Sequence, residues 1–138
     1  KAEGAVSVVI SAAIEAEVAQ LTDEAEKAEF LSTLGLTETG LARVIRAGYA
    51  LLDLITFFTV GPKEARAWTI PQNSRAQDAA GAIHSDIARG FIRAEIVSYE
   101  DLLRAGSYAA ARDQGLLRLE GKDYIMQEGD VVNFRFNV

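Results

Sequence analysis

Several arginines of this 138-residue sequence fall near an aromatic residue or on predicted strands. Arg66 and Trp68 are two residues apart on one predicted strand, so their side chains share a face of the sheet. A guanidinium beside an aromatic ring can bind phosphates and stack on bases. We expect Arg66, Trp68 and Arg135 to lie together on the face turned away from the covering helix. The full candidate set for a nucleic-acid surface is Lys63, Arg66, Trp68, Arg75, Arg93 and Arg135.

The same residues also fit an ordinary sheet surface on which arginines pair with glutamates. From Ile55 to Val138 the basic and acidic residues nearly cancel, which leaves a net charge of −1. The strongly basic character that indicates nucleic-acid binding is therefore weak here. Composition alone leaves both interpretations open.

Other reactive side chains are few. The chain has no cysteine, which excludes disulfides, thiolate zinc sites and a cysteine nucleophile. His84 is the single histidine, and without partner ligands it favours a structural role over a metal site. The nearest approach to a phosphate-binding P-loop, between Gly115 and Asp123, has the wrong spacing and a carboxylate in place of the hydroxyl. We expect no catalytic residue, no metal ligand and no nucleotide hydrolysis by this chain alone.

Three small residues, Ser11, Ala12 and Ala13, follow an apolar run at Val6–Ile10. The run predicts a short buried strand, although no partner strand is evident before Leu54. Backbone N–H groups and small side chains in the turn after a strand can lie against a nucleotide base. Ser11 can equally serve as the N-cap of a following helix. The residues alone leave both roles open.

Helical periodicity dominates the rest of the first 54 residues. Asp23 and Thr39, or Thr37, are placed to cap two of the helices, and Gly35 can take the left-handed conformation after a helix end. The predicted helices cover about residues 14–21, 24–34 and 40–54.

From Ile55 onward the pattern changes to strands. A hairpin is predicted over 55–60 and 65–70, followed by a helix from a Ser74–Gln77 capping box to Arg89. A hairpin, a helix across one face and a return through the sheet make a β-grasp, the ubiquitin-like α+β arrangement, with its first and last strands paired centrally. The remaining predicted elements are a strand at 91–98, helical turns at 99–115 broken at Gly106, and strands at 116–120, 124–126 and 132–138.

The overall composition is that of a folded chain without a membrane span. Hydrophobic residues make up 49%, the net charge is −6, and no run of about 18 apolar residues occurs. The charge is uneven, because residues 1–54 carry −5 of it. Composition and periodicity change at the same place, so we predict two domains, 1–54 and 55–138.

The sequence resembles the YchF group, the Obg-like ATPases, along nearly its whole length. Residues 57–70 (FFTVGPKEARAWTI) and 130–138 (DVVNFRFNV) are similar to the TGS domain of that group. Residues 8–17 resemble the last strand and fifth nucleotide motif of its P-loop domain, and residues 46–49 resemble the helix that enters the TGS domain. Further matching blocks lie, in the family's order, at 79–86, 90–95, 98–101 and 120–125.

The resemblance implies that this chain is the C-terminal part of a longer cytoplasmic P-loop NTPase. A nucleotide domain that binds ATP, or GTP, with Mg²⁺ would precede Lys1, and residues 1–54 would be its end. Ser11, Ala12 and Ala13 would then form part of the cofactor-binding site beside the base. The implied partners are the ribosome, through its large subunit, RNA, and the chain's own nucleotide domain, with no membrane.

The expected task of the TGS module is to dock on the ribosome or RNA and to relay the nucleotide state. Two alternatives remain. The β-grasp sheet face can bind a partner protein, which the acidic first part favours, or the domain can bind a small regulatory ligand.

Overall fold

The computed structural model describes residues 5–61 and 63–137. The chain divides into two compact units, residues 1–52 and 53–138. No helix within the described residues is both long and apolar enough to cross a membrane.

The first unit consists of three helices, α1 (Ala12–Val18), α2 (Glu24–Thr33) and α3 (Gly40–Leu51). Side-chain oxygens of Ser11, Asp23 and Thr39 accept hydrogen bonds from backbone N–H groups at their N-termini. The Glu15 carboxylate of α1 accepts from the N–H groups of Gly40 and Leu41, at 2.6 and 3.2 Å, and so joins α1 to the start of α3.

The predicted strand at Val6–Ile10 is wrong. Residues 5–10 form no regular element, and Val6, Val9 and Ile10 are 63, 80 and 47% exposed. A β-branched run has a strand's composition, but its backbone groups need a neighbouring strand to pair with. The described part of the first unit holds no strand that could supply this pairing.

The second unit is a mixed five-stranded sheet with helices on both faces. Its strands are β1 (Leu54–Val60), β2 (Ala65–Pro71), β3 (Phe91–Ser98), β4 (Arg118–Glu120) and β5 (Asp130–Phe136). The order is β2-β1-β5-β3-β4, with β1 parallel to β5 and the other neighbours antiparallel. The predicted α+β, β-grasp arrangement is confirmed, including the pairing of the first strand with the last. The helices are α4 (Ala76–Ile83), α5 (Ser85–Arg89), α6 (Tyr99–Ala105) and α7 (Tyr108–Asp113).

Each face of the sheet has its own apolar cluster. The α4 face carries Phe57, Ile96 and Phe134, which pack with α4 and α5. The α6–α7 face carries Val97 and Val131, which pack with α6 and α7. The sequence predicted one covered face, whereas the structure has two.

The predicted helix over 74–89 is two helices, separated at His84. The His84 backbone is extended, with φ −162° and ψ 141°, and its Nδ1 accepts a hydrogen bond from the N–H of Asp86 at 3.1 Å. The imidazole thus caps α5, as a side chain acting at an N-cap does. The predicted capping box is also displaced by one residue, because the N–H of Arg75 donates to Asp78 and Gln77 reaches the carbonyl of Ala88.

Two strand predictions differ from the structure for local reasons. Alternation along residues 91–98 predicts Ile92 on the same face as Ala94 and Ile96, but a bulge between Phe91 and Arg93 leaves Ile92 55% exposed, whereas Ala94 and Ile96 are fully buried. The predicted strand at 124–126 is reduced to a single bridge between Ile125 and Arg75.

Candidate nucleic-acid interface

Glu95 contacts two arginines on the α6–α7 face, Arg112 and Arg135, and a third arginine, Arg93, lies opposite Arg135. We call Arg93, Arg112 and Arg135 the arginine cluster. Antiparallel pairing of β3 and β5 places Arg93 directly opposite Arg135. Glu95 binds Arg135 with two contacts of 3.1 Å, from Nε to Oε1 and from Nη2 to Oε2. Arg112, from α7, brings Nη2 within 3.5 Å of Glu95 Oε2. Within the described residues, Arg112 and Arg135 share the Glu95 carboxylate and Arg93 forms no ion pair.

The electrostatics of the cluster centre on Glu95. Its hydrogen bond with Arg135 lowers the pKa of the Glu95 carboxyl, against the effect of burial, and the charges of Arg135 and Arg112 add to the lowering. Burial and the Glu95 charge raise the pKa of Tyr108 to about 12, so this phenol stays neutral. Tyr108 donates its hydroxyl hydrogen to the Glu95 carbonyl at 3.3 Å, which fixes α7 against β3.

The three guanidinium groups are accessible to a partner. The side chains of Arg112 and Arg135 are 56 and 49% exposed, and Arg93 is also exposed. Like charges directly opposite each other on neighbouring strands destabilise a sheet. The Arg93–Arg135 pairing is therefore unfavourable for the fold unless a nearby anion, such as Glu95, compensates it.

Arg66 and Trp68 lie elsewhere, on the α4 face at the edge strand β2. Trp68 is directly opposite Phe57, whose side chain is fully buried in the α4-face core. The prediction that Arg66, Trp68 and Arg135 share one face is wrong. Residues that are directly opposite in a sheet project to the same side, so the register with β1 sets the direction of Trp68.

Arg66 and Trp68 do form the predicted guanidinium–aromatic pair. Arg66 Cζ lies 4.3 Å from the Trp68 ring centroid, a cation–π contact. Trp68 Nε1 donates to Thr59 Oγ1 at 2.9 Å, and the Phe57 ring lies 6.5 Å away at 17°. These contacts hold the indole in place.

The remaining basic candidates, Lys63 and Arg75, belong to neither group of contacts. Lys63 is exposed in the turn between β1 and β2. Arg75, at the N-cap of α4, forms an exposed ion pair with Asp123 at 3.2 Å. Exposed pairs of this kind contribute about 0–1 kcal/mol, so Arg75 remains available to another anion.

Ser11, Ala12 and Ala13 lie at the start of α1. Ser11 Oγ accepts from the N–H of Ile14 at 3.4 Å, which is its N-cap role, and all three residues are exposed. Across residues 5–61 and 63–137, no group of three His, Cys, Asp or Glu side chains could hold a metal ion.

Arg112 is the one residue of the arginine cluster that the sequence did not indicate. It is on a six-residue helix after the Gly106 break, and nothing local relates it to β3 or β5.

Comparison with known proteins identifies the family of the second unit. A family profile described as "YchF-GTPase_C: Protein of unknown function (DUF933)" matches residues 54–137, more than half of the chain. The chain belongs to the YchF family. Its β-grasp unit is the C-terminal domain that this profile describes.

YchF relatives cover almost the whole chain. Ribosome-binding ATPase YchF of Haemophilus influenzae is 58% identical over 136 residues, and that of Bacillus subtilis is 54% identical over the same length. Each match covers 99% of this chain and 37% of the relative. The chain thus spans little more than a third of the length of these YchF proteins.

A solved YchF structure shares the fold. The Schizosaccharomyces pombe YchF GTPase superposes with a TM-score of 0.78 and 35% sequence identity. The alignment covers 96% of this chain and 34% of the yeast chain. The match supports the α+β architecture described above.

Proposed function

We propose that this chain is the C-terminal region of a cytoplasmic ribosome-binding ATPase and that the arginine cluster docks it on ribosomal RNA. Relatives more than half identical to it are named ribosome-binding ATPases. The observation that carries the proposal is the Arg93–Arg135 cross-strand pair beside Arg112, with Glu95 as the one paired anion. Phosphates of the RNA backbone supply the missing negative charge.

The nucleotide chemistry of this proposal belongs to the longer protein. A P-loop domain before residue 1 binds ATP, or GTP, with Mg²⁺, and residues 1–54 are the end of that domain. Ser11, Ala12 and Ala13 contribute small side chains and backbone N–H groups near the base. The TGS domain, residues 55–138, contacts the large ribosomal subunit and relays the nucleotide state to it.

Cosedimentation with ribosomes across a salt series tests the docking surface. Arg93→Gln with Arg112→Gln removes two cations but leaves the bidentate Arg135–Glu95 pair intact. We expect weaker binding and a log–log salt slope that is smaller by about 0.7–0.9 for each phosphate that the variant no longer neutralises.

The matched control is Arg89→Gln with Arg104→Gln, which removes two exposed helix arginines of equal charge, each paired with an aspartate three residues away. Thermal unfolding of both double variants checks that the fold is kept. Equal binding by the two would contradict the proposed surface. Salt-insensitive binding that survives nuclease treatment would favour a partner protein instead.

A further inference from the structure

An open cavity of about 280 Å³ lies beside the Trp68 ring on the α4 face. Its walls are largely aromatic and aliphatic, and Phe136, at 44% exposure, forms part of its accessible lining. The residues that line it include Thr59, Glu64, Trp68, Ile87, Phe134 and Phe136.

The size and lining of the cavity favour a single planar ring system. Pockets for drug-sized ligands usually measure about 300–1,000 Å³, so this cavity is small for a whole nucleotide. Aromatic side chains that line a cleft stack on unpaired bases of single-stranded RNA. The Trp68–Thr59 hydrogen bond fixes the position of the indole, which lowers the entropy lost when a ligand packs against the part of it that lines the cavity.

The charged side chains around the cavity suit different parts of a nucleotide. Arg66 lies over Trp68, and no acidic side chain in the described part of the chain forms an ion pair with it. Lys63 lies in the adjoining turn. These two cations can bind the phosphates that flank a base, whereas Glu64 in the cavity wall repels phosphate and can accept from a base amino group.

We propose that this cavity binds one unpaired, amino-bearing base of RNA, with cytosine the best fit to the Glu64 carboxylate. Phe136 stacks on the base, the part of the Trp68 indole that lines the cavity packs against it, and Arg66 and Lys63 bind its flanking phosphates. The inference rests on the proposed function, because it names an unpaired base of ribosomal RNA as the group that a second surface of the same domain binds.

Trp68 is the one tryptophan of the chain, so tryptophan fluorescence reports on the surroundings of this residue, which lines the cavity. The 138-residue protein is titrated with a single-stranded cytidine oligonucleotide, a uridine oligonucleotide of the same length, and the cytidine strand annealed to its complement. We expect saturable quenching by the cytidine strand, weaker quenching by uridine, and none by the duplex. Equal quenching by strand and duplex, or no quenching by any RNA, would overturn the inference.

Two variants connect the signal to the residues named. Phe136→Leu removes a half-exposed ring and should weaken the quenching titration by about tenfold. Ile92→Ala is the matched control, since Ile92 is 55% exposed and lies outside the cavity, and its titration should match that of the wild type. Equal midpoints for Phe136→Leu and wild type would also contradict the inference.

The result of the fluorescence test can be distinguished from the result of the ribosome-binding test of the arginine cluster. Arg93→Gln with Arg112→Gln leaves the cavity lining intact and should leave fluorescence quenching by the short oligonucleotide unchanged. Loss of ribosome binding in that variant, together with absent quenching in the wild type, would retain the docking proposal and reject the base site.

Discussion

Glu95 organises the arginine cluster, since its two oxygens hold Arg135 in a bidentate pair and also face Arg112. The side chain is only 14% exposed, whereas both arginines are about half exposed. This arrangement leaves the glutamate as a fixed anchor and the guanidinium groups open to solvent. Fork-shaped pairing of this kind orients an arginine as well as stabilising it.

The lowered pKa of Glu95 makes a pH prediction with a defined sign. A carboxyl whose pKa is lower in the folded than in the unfolded state stabilises the fold above its ordinary pKa of 4.5, and this contribution is lost as the pH falls through the folded pKa. Glu95→Gln should therefore lower the free energy of unfolding at about pH 7 by up to about 1 kcal/mol, and the effect should be smaller near pH 3, because the contribution declines as the pH falls toward the lowered pKa.

Urea denaturation at the two pH values measures the effect of Glu95→Gln. Glu100→Gln, at an exposed helix position without an ion pair to a described residue, is the control and should show little change at either pH. A Glu95→Gln variant as stable as wild type at neutral pH would show that the anchor contributes nothing to the fold.

The join between α5 and β3 depends on a close backbone approach at Gly90. A Cβ added there would lie 2.2 Å from the Asn137 carbonyl oxygen, and the Asn137 N–H donates to the Gly90 carbonyl at 2.9 Å. Backbone atoms cannot yield as a flexible side chain does. The absence of a side chain at Gly90 therefore keeps the end of the chain hydrogen-bonded beside the start of β3.

Substitutions at Gly90 and Gly81 should have opposite effects. Gly90→Ala forces the backbone at Asn137 to move and should cost about 1–3 kcal/mol of unfolding free energy. Gly81→Ala, inside α4 with its Cβ 3.5 Å from that of Ala88, should stabilise by about 0.5–1 kcal/mol. Thermal or urea unfolding of the two variants compares them directly. A neutral Gly90→Ala would contradict the close approach.

The two units differ in how much apolar surface they bury internally. The second unit has an apolar cluster on each face of its sheet, with Phe57, Ile96 and Val131 almost fully buried. In the first unit Leu41, Leu51 and Leu52 are 62–73% exposed, and among its described residues Val18 and Leu31 are the buried side chains of appreciable size. Burial of apolar area is the main favourable contribution to folding, so we expect the two units to differ in whether they fold on their own.

We predict that residues 53–138 fold alone and that residues 1–52 do not. The isolated 53–138 fragment should show one cooperative thermal transition and dispersed amide resonances, because its core lies within it. The 1–52 fragment should unfold without a cooperative transition. A cooperative transition in residues 1–52, or none in residues 53–138, would contradict this division and the predicted boundary near residue 54.

Local sequence signals were sufficient for most elements of the second unit. The hairpin at β1 and β2, the alternating β5 and the Gly106 break between α6 and α7 follow from side-chain periodicity and turn residues within a few positions. The same local signals predict capping by Asp23 and by Thr39 or Thr37, and the structure has Asp23 and Thr39 as the caps. The resemblance to the YchF group was also carried by short blocks of sequence, and the family match at residues 54–137 confirms it.

Tertiary structure alone decided which residues come together. Arg66 and Arg135 are on opposite faces because inter-strand register fixes the direction of each side chain, and register depends on partners distant in the sequence. Arg112 joins Arg93 and Arg135 because α7 packs on the face that the sequence predicted to be bare. The apolar run at Val6–Ile10 forms no strand, because no other segment of the described structure pairs with it. A strand needs paired neighbours, and its own residues cannot supply them.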